Sequence, residues 1–194
     1  EDPSLVPAAT HMARLLLAGD NARKAMAVDV KTWSLQPHPD LVGLYFEAAG
    51  AKDGLKKVSA AEKLLALNSG APDGHIAVAV AALEAQLWGQ ARTHLQAALD
   101  AGRTTRTVYT LMARLAEADM ASKRTGEQDP ARVWLARAAT ASADPAWVCG
   151  SCGHVDAHWA PHCPKWRKFD AFSWATPPSA QSSTESEVLL RTKS

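Results

Sequence analysis

The chain has 194 residues, enough for one domain of ordinary size or a domain with a small appendage. Apolar residues make up 47% of it, and the net charge of +1 gives no field that would attract nucleic acid. No run of about 18 apolar residues occurs, so we expect no membrane span in this sequence. Because the chain starts with Glu-Asp-Pro rather than Met, we expect it to be a fragment or a processed form of a protein.

Apolar residues recur at helical spacing in eight segments, which Gly, Pro, Asn and Asp separate. Alanine is abundant in this part of the chain and aromatic residues are few, which favours close-packed helices over strands. Asp40, Asp73 and the Asp129-Pro130 pair are candidate helix starts. The predicted helices cover residues 5–18, 21–35, 40–49, 54–68, 74–86, 89–101, 104–120 and 130–142.

The helices show a repeat with a period near 34 residues. The spacing Ala-x3-Leu-x2-Ala begins at Ala91 and recurs at Ala131, and Ala22 and Lys57 lie at earlier offsets of about 34. Small residues where two helices cross, repeated at this period, are typical of tetratricopeptide arrays. Lys57 fits this pattern poorly, and an irregular helical bundle is the alternative. We therefore predict an all-α, tetratricopeptide-like repeat domain over residues 1–144.

Such an array would offer a concave surface to a peptide or protein. The candidate lining residues, most of which we expect to serve packing, are Tyr45, Phe46, His75, Tyr109 and Arg114. One side of the fourth helix is basic, which is typical of a solvated face or of a surface near anionic lipid headgroups. Its lysines are Lys52, Lys56, Lys57 and Lys63.

Residues 145–175 hold all three cysteines and four of the seven tryptophans. Cys149-Gly-Ser-Cys152-Gly153 has the spacing of a metal-binding knuckle, in which two thiolates face one ion. Cys163-Pro164 begins a second knuckle, but Trp166 stands where its second cysteine is expected. An odd number of cysteines at this spacing favours a metal site over a disulfide framework. We predict a zinc-ribbon or rubredoxin-like unit with Cys149, Cys152 and Cys163 as zinc ligands.

The fourth ligand is open at this stage. His158 or His154 could complete the site, or water could, whereas His162 adjoins Cys163 and would need strain to reach the same ion. A unit that has lost its metal is the alternative, and its aromatic residues would then form a small core. These residues are Trp147, Trp159, Trp166, Phe169, Phe172 and Trp174.

Catalysis is not indicated. A redox-active Cys-x-x-Cys opens a helix after a strand, and no βαβ pattern surrounds this one. A catalytic zinc would need a general base, and only Asp156 and Asp170 are carboxylates here, at no recognisable spacing. No catalytic triad, phosphate loop or dinucleotide fingerprint occurs elsewhere. Residues 176–194 are rich in Ser, Thr and Pro, and we predict a disordered tail.

Several motifs resemble the HemY family of α-proteobacteria, which are tetratricopeptide-repeat proteins of the inner membrane associated with haem and porphyrin metabolism. They are H-P-D-L-V-G-L-Y at 38–45, L-W-G-Q-A-R-T-H-L at 87–95, and the cysteine-rich ending through F-D-A-F-S-W at 169–174. The resemblance implies transmembrane helices upstream of this chain, repeats on the cytoplasmic side, and zinc in relatives that carry four cysteines.

The resemblance also implies a non-catalytic scaffold whose partners are proteins, among them haem-biosynthesis enzymes. A haem or porphyrin carrier is an alternative, in which His11, His38, His75 or His94 would be axial ligands. A lipopolysaccharide-assembly adaptor, which joins the same repeats to a rubredoxin-like end, is a further alternative.

Overall fold

A computed structural model describes residues 4–122 and 130–178. Within them the chain is mostly helical, with a small three-stranded sheet near the C-terminal end. The helices are α1 (Val6–Ala18), α2 (Ala22–Leu35), α3 (Pro39–Ala48), α4 (Gly54–Leu67), α5 (Pro72–Glu84), α6 (Trp88–Asp100), α7 (Arg106–Ser122) and α8 (Pro130–Thr140). The strands are β1 (Ala146–Cys149), β2 (Val155–Asp156) and β3 (Phe172–Ala175).

The eight predicted helices are confirmed, each boundary to within two residues. The predicted cap of α3 is wrong, because Pro39 begins that helix and the ring Nδ1 of His38 accepts a hydrogen bond from the Asp40 backbone N–H. Asp73 lies in the first turn of α5 rather than at its cap, which is Ala71. Asp129 and the predicted tail from residue 179 onward lie outside the described residues.

The described residues divide into two units. The first has residues 4–104, 108–122 and 130–137, and the second has residues 105–107 and 138–178. In the first unit, helices pack mainly on their neighbours in sequence: α1 on α2, α2 on α3, α4 on α5 and α5 on α6. Next-nearest neighbours also pack, as α1 does on α3 and α2 on α4. This layered order is what stacked hairpins produce, although it does not identify the repeat type.

Alanines bring the helix axes of the first unit close together. Ala13 and Ala25 are fully buried against each other's helices, and Ala91 and Ala98 are fully buried in α6. The predicted pattern in α8 holds at Ala131 and Ala138, which are buried, but not at Leu135, which is exposed. Small side chains at crossings let backbones approach, so the core of this unit rests on Ala more than on large aromatics.

Asp29 interrupts this apolar core. Its side chain is fully buried in α2, and neither carboxyl oxygen has a hydrogen-bond partner in the described part of the chain. Leu64 in α4 and Ala98 in α6 follow it along the chain at intervals of 35 and 34 residues, and both are fully buried. Burial raises the pKa of Asp29 to about 7, because a charged carboxylate without partners is costly in an apolar core.

The second unit is built on the three strands, in the antiparallel order β2-β1-β3. Trp147 of β1 pairs with Asp156 of β2 on one side and with Trp174 of β3 on the other. The Trp147 and Trp174 rings contact edge to face, with centroids 5.3 Å apart. A short bridge pairs Thr105 with Ser142, both of which belong to this unit.

Candidate metal centre

The first cysteine loop is a tight turn at the end of β1. The backbone N–H of Gly153 donates to the carbonyl of Cys149 at 2.8 Å, and the N–H of Cys149 donates to the carbonyl of His154 at 2.8 Å. Gly153 has a φ of +67°, a left-handed conformation that glycine adopts without a side-chain clash. The turn therefore holds Cys149 and Cys152 on the same side of the loop.

The second cysteine loop repeats this backbone geometry fourteen residues later. The N–H of Arg167 donates to the carbonyl of Cys163 at 2.7 Å, and the N–H of Cys163 donates to the carbonyl of Lys168 at 3.0 Å. Arg167 has a φ of +54°, so it takes the left-handed position that Gly153 takes in the first loop. The bridge between His162 and Phe169 closes this loop, as the pairing of β1 with β2 closes the first.

The two loops bring the three thiols together. The Sγ atoms of Cys152 and Cys163 are 3.6 Å apart, and all three sulfurs lie within 4.8 Å of one another. Four thiolates around a tetrahedral zinc, each at about 2.3 Å from the ion, have sulfurs about 3.8 Å apart. The cysteines are free thiols, and the cluster is compatible with zinc.

Backbone N–H groups in the first loop point at the sulfurs. Those of Ser151 and Cys152 lower the pKa of Cys149 to about 7, because they stabilise the thiolate. The N–H of His154 acts in the same direction on Cys152, but burial and the other two thiols outweigh it and raise the pKa of Cys152. Of this pair, Cys149 is therefore the one favoured as a thiolate, which is the form that binds metal.

The loop equivalence places Trp166 at the fourth ligand position. Trp166 follows Cys163 by three residues, as Cys152 follows Cys149. Its side chain is 69% exposed, so most of the indole faces solvent rather than the sulfurs. That Trp166 replaces the fourth cysteine was read from the sequence. The left-handed conformation of Arg167, which preserves the shape of the loop, was not predicted. The matching Val155-Asp156 and Phe169-Asp170 after each loop could have revealed the internal repeat.

The candidate histidines lie outside the sulfur cluster. The Nε2 of His154 is 3.8 Å from an oxygen of Asp156, and its ring contacts Phe172. His158 is exposed, and its backbone N–H donates to Asp156. The ring of His162 contacts Phe169. The structure therefore brings together the three predicted cysteine ligands without a fourth donor from these histidines.

Fewer aromatic residues pack around the thiols than the sequence predicted. Trp147 and Phe172 are buried with Cys149 and Cys163, and Trp159 and Trp174 pack partly against them. Trp166 and Phe169, predicted to belong to an aromatic core, are both about two-thirds exposed. Burial around the sulfurs comes from the sheet side of the unit, and Cys152 is the partly exposed thiol.

The predicted surfaces of the helical unit are mostly used for packing. Tyr45 is buried, Phe46 packs against two core clusters, and Tyr109 stacks on Trp134. On the basic side of α4, Lys57 pairs with Glu84 at 2.7 Å. Lys56 pairs with Asp53, whereas Lys52 and Lys63 are exposed.

The four histidines considered as haem ligands are dispersed, apart from one pair. His11 is exposed and His38 is buried at the cap of α3. The Nδ1 atoms of His75 and His94 are 2.9 Å apart, too close for an iron porphyrin to lie between them. Burial, and secondly the neighbouring His75, lower the pKa of His94.

No protein-family model matches the chain. The chain is 30% identical over 173 residues to the probable magnetosome protein Mms48 of Magnetospirillum gryphiswaldense. The match covers 89% of this chain but 37% of that protein, so the chain spans little more than a third of its relative.

This similarity corrects the HemY identification. The relative is named as a magnetosome protein rather than a HemY protein, so the assignments to HemY, to haem biosynthesis and to porphyrin metabolism are wrong. Two of the motifs behind them, residues 38–45 and 87–95, are short segments in helices whose residues serve packing: Ala91 and Leu95 are fully buried. No helix among the described residues is long and apolar enough to cross a bilayer.

Proposed function

We propose that this chain is a non-catalytic protein-interaction scaffold, a tetratricopeptide-like stack of helices joined to a unit that binds zinc. The observation that carries the scaffold proposal is the character of α1, which is apolar on two sides. One side buries Val6, Ala9 and Ala13. The other exposes large apolar side chains, and an exposed apolar face of this kind is typical of a contact surface for another protein.

The exposed face of α1 is continuous. Leu5, Met12 and Leu15 are 53%, 42% and 60% exposed, and their positions fall within one arc of the helix surface. No acidic residue stands in the first turn of α1 and no basic residue in its last turn. A helix from a partner protein fits this surface, because helix-on-helix packing would continue the layering seen from α1 onward.

Selection and mutagenesis test the scaffold proposal. Fragments of the host's proteome are displayed and selected on the purified chain, and the affinity of each selected fragment is then measured by calorimetry. We expect the double variant Met12→Glu with Leu15→Glu to weaken binding by at least about tenfold, since two buried apolar contacts are lost. The matched control is Leu35→Glu with Leu55→Glu, which changes two exposed leucines elsewhere. Equal binding by both double variants would refute α1 as the contact surface.

We also propose that Cys149, Cys152 and Cys163 bind one zinc ion that stabilises the sheet unit. The three sulfurs lie within 4.8 Å of one another, the Cys152–Cys163 pair at 3.6 Å, and backbone N–H groups of the first loop stabilise the Cys149 thiolate. Elemental analysis of protein purified without chelator should find about one zinc per chain. Cys149→Ser should lose it and Ser151→Ala should keep it; metal-free wild-type protein would refute the proposal.

Finally, we propose that the protein acts at the location that its relative's name gives, the magnetosome. The supporting observation is the similarity over 89% of this chain. In M. gryphiswaldense, Mms48 with its matching segment replaced by this chain should purify with magnetosomes as the unaltered protein does. If the chimaeric protein were recovered with magnetosomes no better than Mms48 lacking the segment, the proposed location would be contradicted.

A further inference from the structure

The candidate metal centre has three donors from the chain, and the residue equivalent to a fourth donor, Trp166, is exposed. The repeated loop geometry assigns the fourth position to residue 166, and Trp166 carries no atom that ligates zinc. The indole is 69% exposed, and Cys152, whose sulfur lies 3.6 Å from that of Cys163, is the partly exposed thiol of the three. A tetrahedral ion held by these thiols would therefore meet solvent on the side of the second loop.

Charge around this side favours an anionic ligand. Zinc with three thiolates carries a net charge of −1, and a fourth thiolate would make it −2. Lys165, Arg167 and Lys168 flank Trp166 in sequence, and all three are exposed. The nearest acidic residues along the chain, Asp156 and Asp170, offset only part of this positive charge. These basic side chains therefore offset the additional negative charge that a fourth thiolate would bring to the ion.

We propose that the fourth coordination position binds a thiolate from outside the chain. This inference rests on the proposed metal site. The three donors already present are thiolates, and thiolate sulfur is a soft ligand that favours zinc. In the exchange, the metal–sulfur bond forms as the metal–water bond breaks, and the proton of the incoming thiol passes to solvent. The thiol is that of a small molecule or of a cysteine in another protein, because both offer the same atom.

Cobalt spectroscopy tests this directly. The chain is freed of metal under a non-thiol reductant and loaded with Co²⁺, whose visible bands report coordination geometry and sulfur count. Adding 2-mercaptoethanol should increase the visible absorption in a saturable manner, whereas imidazole at the same concentration should produce a smaller change. A cysteine peptide with a phenylalanine beside the thiol forms the second arm. Saturation at lower concentration than 2-mercaptoethanol would indicate a protein cysteine, and equal saturation a small thiol.

The variant Trp166→Cys should show the thiol-saturated spectrum without added thiol, and added thiol should then change nothing. Its Co²⁺ affinity should rise by roughly tenfold or more, because an intramolecular thiol acts at millimolar effective concentration. Lys165→Cys is the matched control: it adds a thiol to the same loop, at the position equivalent to Ser151, and should keep the wild-type response.

The outcomes separate the two proposals. If the wild type fails to bind Co²⁺ or Zn²⁺, the metal site itself is refuted. If it binds metal but its spectrum ignores thiols, the external thiolate is refuted, and water or a donor of the chain completes the site. His154→Ala and His158→Ala would then identify that donor by a changed spectrum.

Discussion

The partnerless carboxyl of Asp29 should make the stability of the helical unit fall as pH rises. In the folded chain the pKa of Asp29 is about 7, whereas the ordinary value for an unfolded aspartate is 3.8. Below pH 3.8 both states hold the proton, and Asp29 has no effect. Between about pH 4 and 7 the unfolded chain releases the proton while the folded chain keeps it, so stability is progressively lost. Above about pH 7 the loss is complete.

The size of this effect follows from the two pKa values. Each pKa unit corresponds to about 1.4 kcal/mol, so the free energy of unfolding should drop by about 4 kcal/mol between pH 4 and pH 8. That is a large fraction of a typical domain's stability. Asp29→Asn keeps the shape and polarity of the side chain but cannot ionise. The variant should match the wild type near pH 4 and exceed it by about 4 kcal/mol at pH 8.

Urea unfolding followed by circular dichroism, at several pH values between about 4 and 8, measures this difference. Burial lowers the pKa of His38, which gives the wild type an opposing pH dependence. Subtracting the curve of Asp29→Asn from that of the wild type removes this contribution. Asp100→Asn, at the exposed end of α6, controls for the loss of one negative charge. A difference between wild type and Asp29→Asn that stays constant with pH would show that Asp29 is solvated in the folded chain.

Three further substitutions test the packing and the ion pairing of the first unit. Gly54→Ala should lower the free energy of unfolding by about 1–3 kcal/mol, because the new methyl group would lie 3.0 Å from the backbone of Ala85. Gly43→Ala should raise it by about 0.5–1 kcal/mol, since this glycine is inside α3 with nothing within 4 Å. Arg103→Leu should lower it by about 1–3 kcal/mol, because its 2.6 Å bond to the partly buried Asp73 is lost. Chemical denaturation at constant pH measures all three. The comparison variant for the ion pair is Lys56→Ala. Lys56 pairs with Asp53 at 3.1 Å, but both side chains are more than half exposed, so its loss should be undetectable in the same assay. If Lys56→Ala destabilised the chain as much as Arg103→Leu, burial would not determine how much an ion pair contributes to stability. Gly43→Ala and Gly54→Ala should change the free energy of unfolding in opposite directions. Changes in the same direction would contradict the close contact at Ala85.

Helix positions could be predicted from the sequence because breakers and periodicity are local signals. Gly19, Gly50 and Gly102 end helical segments at positions that can be read directly, and two of them have positive φ. Caps were harder, because Asp40 and His38 compete for the same role and only backbone geometry decides between them. The burial of Asp29 could not be predicted, since an aspartate in an amphipathic helix is ordinarily placed on the solvent side.

The candidate metal site was predicted from its cysteine spacing, but its open side was not. Cys149, Cys152 and Cys163 were found because knuckle spacing is a sequence signal. Whether a histidine reaches the cluster depends on the direction of a loop that spacing does not describe. The exposure of Trp166 is likewise a tertiary property. The HemY identification rested on short motifs, and the similarity over 173 residues to a probable magnetosome protein overturns it.

The sheet unit is discontinuous in sequence, which limits how it can be transplanted. Thr105 bridges Ser142, and the backbone N–H and the hydroxyl of Thr107 both donate to Asp144, at 3.0 Å and 2.9 Å. An excised peptide beginning at residue 138 would leave three residues of its own unit behind. A minimal version for metal studies should therefore begin before Thr105, or should supply the segment 105–107 in trans.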